Sequence, residues 1–231
     1  MMPVSLWLGR VTPVAAQAAA AGRDWLSDTE RARLDALSAP QRRAQFLAGR
    51  WGARQLMAAA HGGDALADWC LDALHDAPPR LERGLQALHI AISHSGDRVA
   101  CAVSAAPVGL DLEAPRRPRD IAALSTGVCT ATEQARLQAL PVAQRAGHFY
   151  RVWTLKEAWL KRRGEGVSLA RLAGLHTQAV PPCEAAEGRS WQQDGLTLAL
   201  LAPTSLPLEW HGTTEAMGDT GPEHWRVDEI Q

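Results

Sequence analysis

Two short strings in this chain gather residues suited to holding phosphate and a divalent cation. In VGLDLE (108–113), Asp111 and Glu113 stand two apart, so a β-strand puts both carboxylates on one face. Carboxylate oxygens are hard donors of the kind Mg²⁺ takes, with phosphate oxygens and waters completing its octahedron. The plain alternative is a solvated strand face, because D-x-E is a common string. In VWTLKEAWLKRRGEG (152–166), Lys156, Glu157 and Lys161 follow Trp153 at spacings that a 3.6-residue period stacks into one stripe, an acid between two cations. The alternative there is a surface Glu157/Lys161 pair worth about a few tenths of a kcal/mol. The flanking Phe149, Tyr150, Trp153 and Trp159 argue against it, since they predict a half-buried helix.

Three further groups bear on the chemistry. Ser93-His94-Ser95 falls at a predicted strand end, where the histidine reads either as a hydrogen-bonded turn residue or as a phosphate contact. No G-x-S-x-G string is present, which excludes a serine hydrolase of that type. Arg42, Arg43, Arg50 and Arg54 occur with no acidic residue between 42 and 54. Arg50 and Arg54 align at i,i+4, where like charges repel unless an anion or carboxylate lies between them; the alternative is a solvated helix with snorkelling arginines. Glu133, in TATEQARLQAL, is placed as a first-turn acid behind a threonine cap.

The elements that must position these groups alternate between two periods. Residues 27–38 open with Ser27 and Asp28 and carry an early glutamate, a helix start. Residues 41–60 form a second helix, and 62–88, with paired glycines and prolines, an irregular connection holding at most a short strand or turn. From His89 a period of two gives a hairpin turning at Ser95-Gly96-Asp97, and a third strand begins at Val108. Helices are expected over 120–140 and 148–163, a hairpin or strand over 191–201, and a polar tail over 211–231. Helices mixed with neighbouring strands give an α+β class.

Bulk composition narrows the partners. With 46% apolar and 21% charged residues and a net charge of −1, an anionic ligand must be met by a local cluster, and neither nucleic acid nor a membrane surface is an expected partner. Cys70, Cys101, Cys129 and Cys183 lack C-x-x-C spacing and histidine neighbours, so they read as reduced thiols and not as a zinc site. Met1 to Arg10 is not a basic leader with an apolar run, and no stretch reaches about 18 apolar residues; the expected location is the cytoplasm.

Taken in order, FLAGRWGARQL (46–56), ISHSGDRVACAVS (92–104), VGLDLE (108–113), TATEQARL (130–137) and FYRVWTLKEAWLKRRGEGVSL (149–169) resemble the Sfp-type 4′-phosphopantetheinyl transferases over roughly residues 27–170. The resemblance implies a fold of two similar α+β halves about a pseudo-twofold axis, at 1–107 and 108–231, with coenzyme A in the cleft between them. It implies transfer of the 4′-phosphopantetheine arm to a serine of an apo acyl or peptidyl carrier protein, Mg²⁺-dependent, by a monomer. By resemblance Asp111, Glu113 and Glu157 hold Mg²⁺ on the pyrophosphate. His94, Lys156 and Lys161 then contact phosphates, with Ser93 nearby and Arg33 toward the 3′-phosphate. Glu157, Lys156 and Glu133 are the catalytic group, one of the two glutamates taking the serine proton. The arginine-rich loop 116–119 and Lys161-Arg162-Arg163 would meet the carrier's acidic helix.

The chain departs from the family at DAPPR (76–80), where a Gly-Lys/Arg-Pro turn is usual and only the last proline matches. A proline offers neither the backbone N–H nor the cation of its counterpart. Two rivals follow: a coenzyme A or nucleotide-binding module without catalysis, and a scaffold with no ligand.

Overall fold

The computed structural model describes residues 2–66, 68–74, 78–81, 88–115, 117–182, 186–212, 217 and 221–230. Of the residues singled out above, Met1, Asp76, Ala77, Arg116 and Cys183 lie outside these.

Strand β1 (Val4–Arg10) runs into α1 (Val11–Ala20), and α2 (Asp28–Ala36) and α3 (Pro40–His61) follow. The hairpin of β2 (His89–Ser95) and β3 (Arg98–Ser104) turns through Gly96, whose φ of +58° is left-handed. With β1 in the middle these strands form a sheet ordered β2-β3-β1-β8, where β8 (Leu208–Trp210) returns from far along the chain to pair parallel with β1. The second sheet, ordered β4-β7-β6-β9-β5, uses β4 (Gly109–Glu113), β5 (Leu175–Ala179), β6 (Gly188–Gln193), β7 (Leu196–Leu201) and β9 (Glu223–Glu229). Its helices are α4 (Ile121–Val128), α5 (Ala131–Ala139), α6 (Val142–Arg162) and α7 (Leu169–Ala173).

Side-chain alternation sorts these elements into four layers. Leu6, Leu8, Ala100 and Ala102 meet Leu110, Leu112, Leu198 and Leu200 between the two sheets. Ile90, Cys101 and Val103 point the other way, onto Ala53, Leu56 and Met57 of α3. On the far side of the second sheet, Ala199, Leu201 and Trp225 receive Phe149, Val152, Leu155 and Ala158 of α6. The edge strands β2 and β4 of the two sheets lie against each other. That seam is where the candidate residues collect.

Four sequence expectations change. β1 and α1 fill a stretch given no element, although Val4, Leu6 and Leu8 alternate as a buried strand should. The helix expected over 120–140 is two, because Thr130 caps α5 and Glu133 closes a capping box with it. The second long helix begins at Val142, earlier than expected. The polar tail is corrected as well: Glu223–Glu229 is a strand inside the second sheet, buried through Trp225 and Val227. No helix among the described residues is long and apolar enough to cross a membrane.

Candidate active site at the seam of the two sheets

The site begins with a glycine. A Cβ on Gly109 would lie 1.9 Å from the carbonyl oxygen of Ala158 and 2.8 Å from Cβ of Arg162, so β4 presses against the α6 backbone as only glycine permits. Along that contact Asp111 and Glu113 share the Gly109 side of the strand and meet the face of α6 that carries Glu157 and Lys161. Asp111 is 3% exposed. Its Oδ1 accepts from Lys161 Nζ at 2.5 Å and from Ser93 Oγ at 2.9 Å. Lys161 also lies 3.7 Å from Glu157 Oε2, so one ammonium spans both carboxylates. Glu113 Oε2 accepts from Ser95 Oγ at 2.8 Å.

Electrostatics show a surplus of negative charge here. Burial and then the neighbouring Asp111 push Glu157 up to about 7, Lys161 opposing them. Burial also raises Glu113, against the Ser95 hydrogen bond. Burial alone would lower Lys161, but Asp111 and Glu157 outweigh it and hold the ammonium above its ordinary value. Among the described residues, no three His, Cys, Asp or Glu side chains form a preassembled metal cage; Lys161 Nζ stands between two of the carboxylates. The donor set nevertheless fits a hard divalent cation. It is all carboxylate oxygen, and Asp111 Oδ2 is buried with no hydrogen-bond partner, an atom that a cation would satisfy.

Next to this cluster is a basic cavity of about 210 Å³, lined among others by Arg33, Arg42, Arg50 and His94. His94 has the parity of Ile90 and Ile92, so it faces α3. Burial, then Lys161 and Arg42, push its imidazole below the ordinary histidine value. A second groove of about 250 Å³ shares Pro79 and Ile92 with the first and continues past Ile90, Ala91 and Val108 to Lys161. The cation-lined cavity and the groove flanked by apolar side chains thus adjoin at Pro79 and Ile92, with His94 lining the first and Lys161 the second.

The carboxylate that paired arginines at i,i+4 demand is Glu30. Its oxygens accept from Arg54 at 2.6 and 3.0 Å, both residues fully buried, and Oε1 lies 3.6 Å from the half-buried Arg50. Arg54 is thus structural, while Arg50 also lines the cavity.

The single stripe expected of Lys156, Glu157 and Lys161 is corrected. Adjacent helical residues diverge by about 100°, and Lys156 turns toward α4 and α5, fully buried. It donates to Glu133 and to the Val128 carbonyl, each at 2.7 Å. Glu133 in turn accepts from the backbone N–H and hydroxyl of Thr177 and from the Thr130 N–H. The structure brings Lys156 and Glu133 to each other and not to the Asp111 cluster. Ser93 touches a carboxylate, and Arg33 lies at the rim of the basic cavity. Ser95 and Gly109 were missed by the sequence reading; their signals were the shared parity of 93 and 95, and a glycine two residues before Asp111.

Residues 107–218 match the family model of the 4′-phosphopantetheinyl transferase superfamily. A 4′-phosphopantetheinyl transferase of Bacillus subtilis is 38% identical over 36% of this chain and 36% of its own length. The 4′-phosphopantetheinyl transferase HetI of Nostoc sp. is 29% identical over 72% of this chain and 71% of its own. A holo-(acyl-carrier-protein) synthase from Bacillus anthracis, solved in complex with CoA (3′,5′-ADP), superposes with a TM-score of 0.39 at 19% identity, over 44% of this chain and 93% of that one. The similarity to the 4′-phosphopantetheinyl transferase superfamily thus lies in residues 107–218, a little under half of the chain. The chain's match spans little more than a third of the length of the first of these relatives.

Proposed function

We propose that this protein moves the 4′-phosphopantetheine arm of coenzyme A onto a serine of an apo carrier protein, in the presence of Mg²⁺. The observation that carries the reading is the buried Asp111 with its unpartnered Oδ2, set beside Glu113, Glu157 and Lys161 near the junction of a basic and an apolar chamber. A coenzyme with a phosphorylated nucleotide at one end and a largely neutral arm at the other matches those two environments.

In this reading Arg33, Arg42 and His94 hold the nucleotide phosphates, and Ile90, Ile92 and Val108 flank the arm. Asp111, Glu113 and Glu157 would hold Mg²⁺, which when bound supplies positive charge to the pyrophosphate oxygens. The carrier serine Oγ bonds to the β-phosphorus, the bond from that phosphorus to the bridging oxygen breaks, and 3′,5′-adenosine bisphosphate leaves with the electron pair. Lys161, already drawn to the carboxylates, offsets charge on the departing oxygens. The serine proton goes to Glu157, since Glu133 is committed to Lys156 and Thr177. The chain would act as a cytoplasmic monomer, with halves 1–107 and 108–231 flanking the coenzyme, and Arg117, Arg119, Arg162 and Arg163 facing the carrier's acidic helix.

Incubating an apo carrier with coenzyme A, Mg²⁺ and this protein is expected to add one phosphopantetheine to the carrier's mass, and chelation is expected to stop the reaction. Coenzyme A binding by calorimetry without a mass change on any of a panel of carriers would replace the transferase with a binding module.

A further inference from the structure

Two hydroxyls of one strand meet two carboxylates of another across the seam, rung for rung. Ser93 and Ser95 are two apart on β2, and Asp111 and Glu113 two apart on β4. Ser93 Oγ donates to Asp111 Oδ1 at 2.9 Å, and Ser95 Oγ to Glu113 Oε2 at 2.8 Å. The parity that brings them there also sends Ala91 into the layer between the sheets. His94, of the opposite parity, goes to the basic cavity. A string of three residues thus faces two ways, its middle member to the basic cavity and its outer members to the carboxylates of β4.

Ser95 is fixed from both sides. Its single proton goes to Glu113, and its oxygen accepts from the Ala114 N–H at 3.1 Å. A hydroxyl held in this way has no freedom to turn, so it selects which oxygen of Glu113 is tied and which is presented. At the other rung, Ser93 and Lys161 both use Oδ1 of Asp111, which leaves the buried Oδ2 alone without a partner. Each rung thus ties one carboxylate oxygen to the first sheet, and at Asp111 the other is left without a partner. Hydrogen bonds to a ligating carboxylate orient it, and their loss usually costs about 10–100-fold in metal affinity.

We propose that Ser95 is a positioning residue that holds Glu113 in the orientation a divalent cation requires, and that with Ser93 it makes the cation site depend on contact between the two sheets. The inference rests on the proposed function for the identity of the site, but what it asserts is a hydroxyl's control of a carboxylate. Ser95 touches neither coenzyme nor carrier in this account; it acts through Glu113. Because the rungs join strands of two different sheets, anything that parts β2 from β4 would release both carboxylates together.

The test uses the full chain saturated with coenzyme A and titrated with Mn²⁺ by calorimetry, with melting curves on each variant. Ser95→Ala is expected to weaken Mn²⁺ at least about 10-fold with little change in coenzyme A affinity, and Ser95→Thr, which keeps the hydroxyl, to restore most of it. In the carrier assay the Ser95→Ala defect should shrink as metal concentration rises. Unchanged Mn²⁺ affinity in a folded Ser95→Ala protein overturns the inference and leaves the transferase reading standing. A Ser95-dependent Mn²⁺ site in a protein that modifies no carrier supports the inference and sinks that reading instead. A wild-type chain that takes up no Mn²⁺ ends both, and a Ser95→Thr protein as weak as Ser95→Ala shows that the hydroxyl is not what matters.

Discussion

Gly109 on β4 and Ala158 on α6 approach so closely that a single added carbon at 109 would sit 1.9 Å from the Ala158 carbonyl oxygen. The atom in the way is backbone, so no side-chain rotation relieves the clash. Gly109→Ala must therefore push the strand off the helix and carry Asp111 away from Lys161. Overpacking of this kind costs about 1–3 kcal/mol, and the rigid neighbour puts this case at the upper end. Chemical denaturation should show that loss together with weakened divalent-cation binding. Gly166→Ala is the control: an added Cβ meets nothing within 4 Å there, and a change of no more than about 0.5 kcal/mol is expected.

Lys161→Gln tests whether the ammonium is what makes the cluster tolerable without a metal. Removing it leaves Asp111 and Glu157 facing each other across the place its charge occupied. The lysine side chain is 32% exposed, so part of the burden is screened, and a loss of about 1–3 kcal/mol is expected at pH 8. At pH 5.5 the loss should shrink, as Glu157 is protonated there. Mg²⁺ should raise the melting midpoint of Lys161→Gln by more than that of the parent, because the cation supplies the missing charge. A variant whose midpoint ignores both pH and Mg²⁺ would remove Lys161 from the account.

The buried Glu133/Lys156 pair gives a stability prediction independent of the proposed reaction. Lys156 and the hydrogen bonds from Thr130 and Thr177 hold Glu133 below the usual carboxylate value even though burial pushes the other way. A carboxylate with a depressed folded pKa contributes stability above its unfolded value of 4.5, and that contribution is lost as pH falls through the folded value. Glu133→Gln strands a fully buried ammonium, which costs about 3–5 kcal/mol at neutral pH. The same change should cost less in acid unfolding at pH 3. Replacing both partners, Glu133→Gln with Lys156→Met, should recover much of the loss, since the uncompensated charge goes with the pair. Equal destabilisation in the single and double variants would show that no buried charge is involved.

What could be read in advance was whatever depends on a local period. The alternation at 108–113 set Asp111 and Glu113 on one face, and the repulsion of Arg50 and Arg54 called for a carboxylate that proved to be Glu30. Only the fold could supply its identity, because Glu30 is on a different helix. Lys156 was grouped with Glu157 because nearness in a stripe was judged by spacing from Trp153. Which way each one points, Lys156 fully buried against Glu133 and Glu157 half-buried toward Asp111, depends on where the second sheet lies. Strand β9 escaped notice because Trp225 and Val227 alternate among Glu223, Arg226, Asp228 and Glu229, charges that suggest a tail unless two strands are known to flank them. The serine rungs join two sheets, and no periodicity within either strand records the other.

Glu157 gives the last prediction, where proton and cation compete for one group. Burial and Asp111 lift it from 4.5 to about 7, so between those values the folded metal-free chain keeps a proton that the unfolded chain has released. The stability from this group is fully present below 4.5 and disappears as pH rises through about 7. For the metal-free protein the melting midpoint should decline across that window, and Glu157→Gln, which cannot ionise, should decline less. The difference is on the order of 1–3 kcal/mol between pH 5 and pH 8, part of it muted by Lys161. A bound cation reverses the preference, because it favours the carboxylate. Below pH 7, metal uptake should therefore release a proton, which calorimetry in buffers of different ionisation enthalpy measures directly. At pH 8.5 the release from this group should vanish. Metal uptake at pH 6 with no proton release would mean that Glu157 is already ionised or is not a ligand, and transfer would then need another carboxylate at its centre.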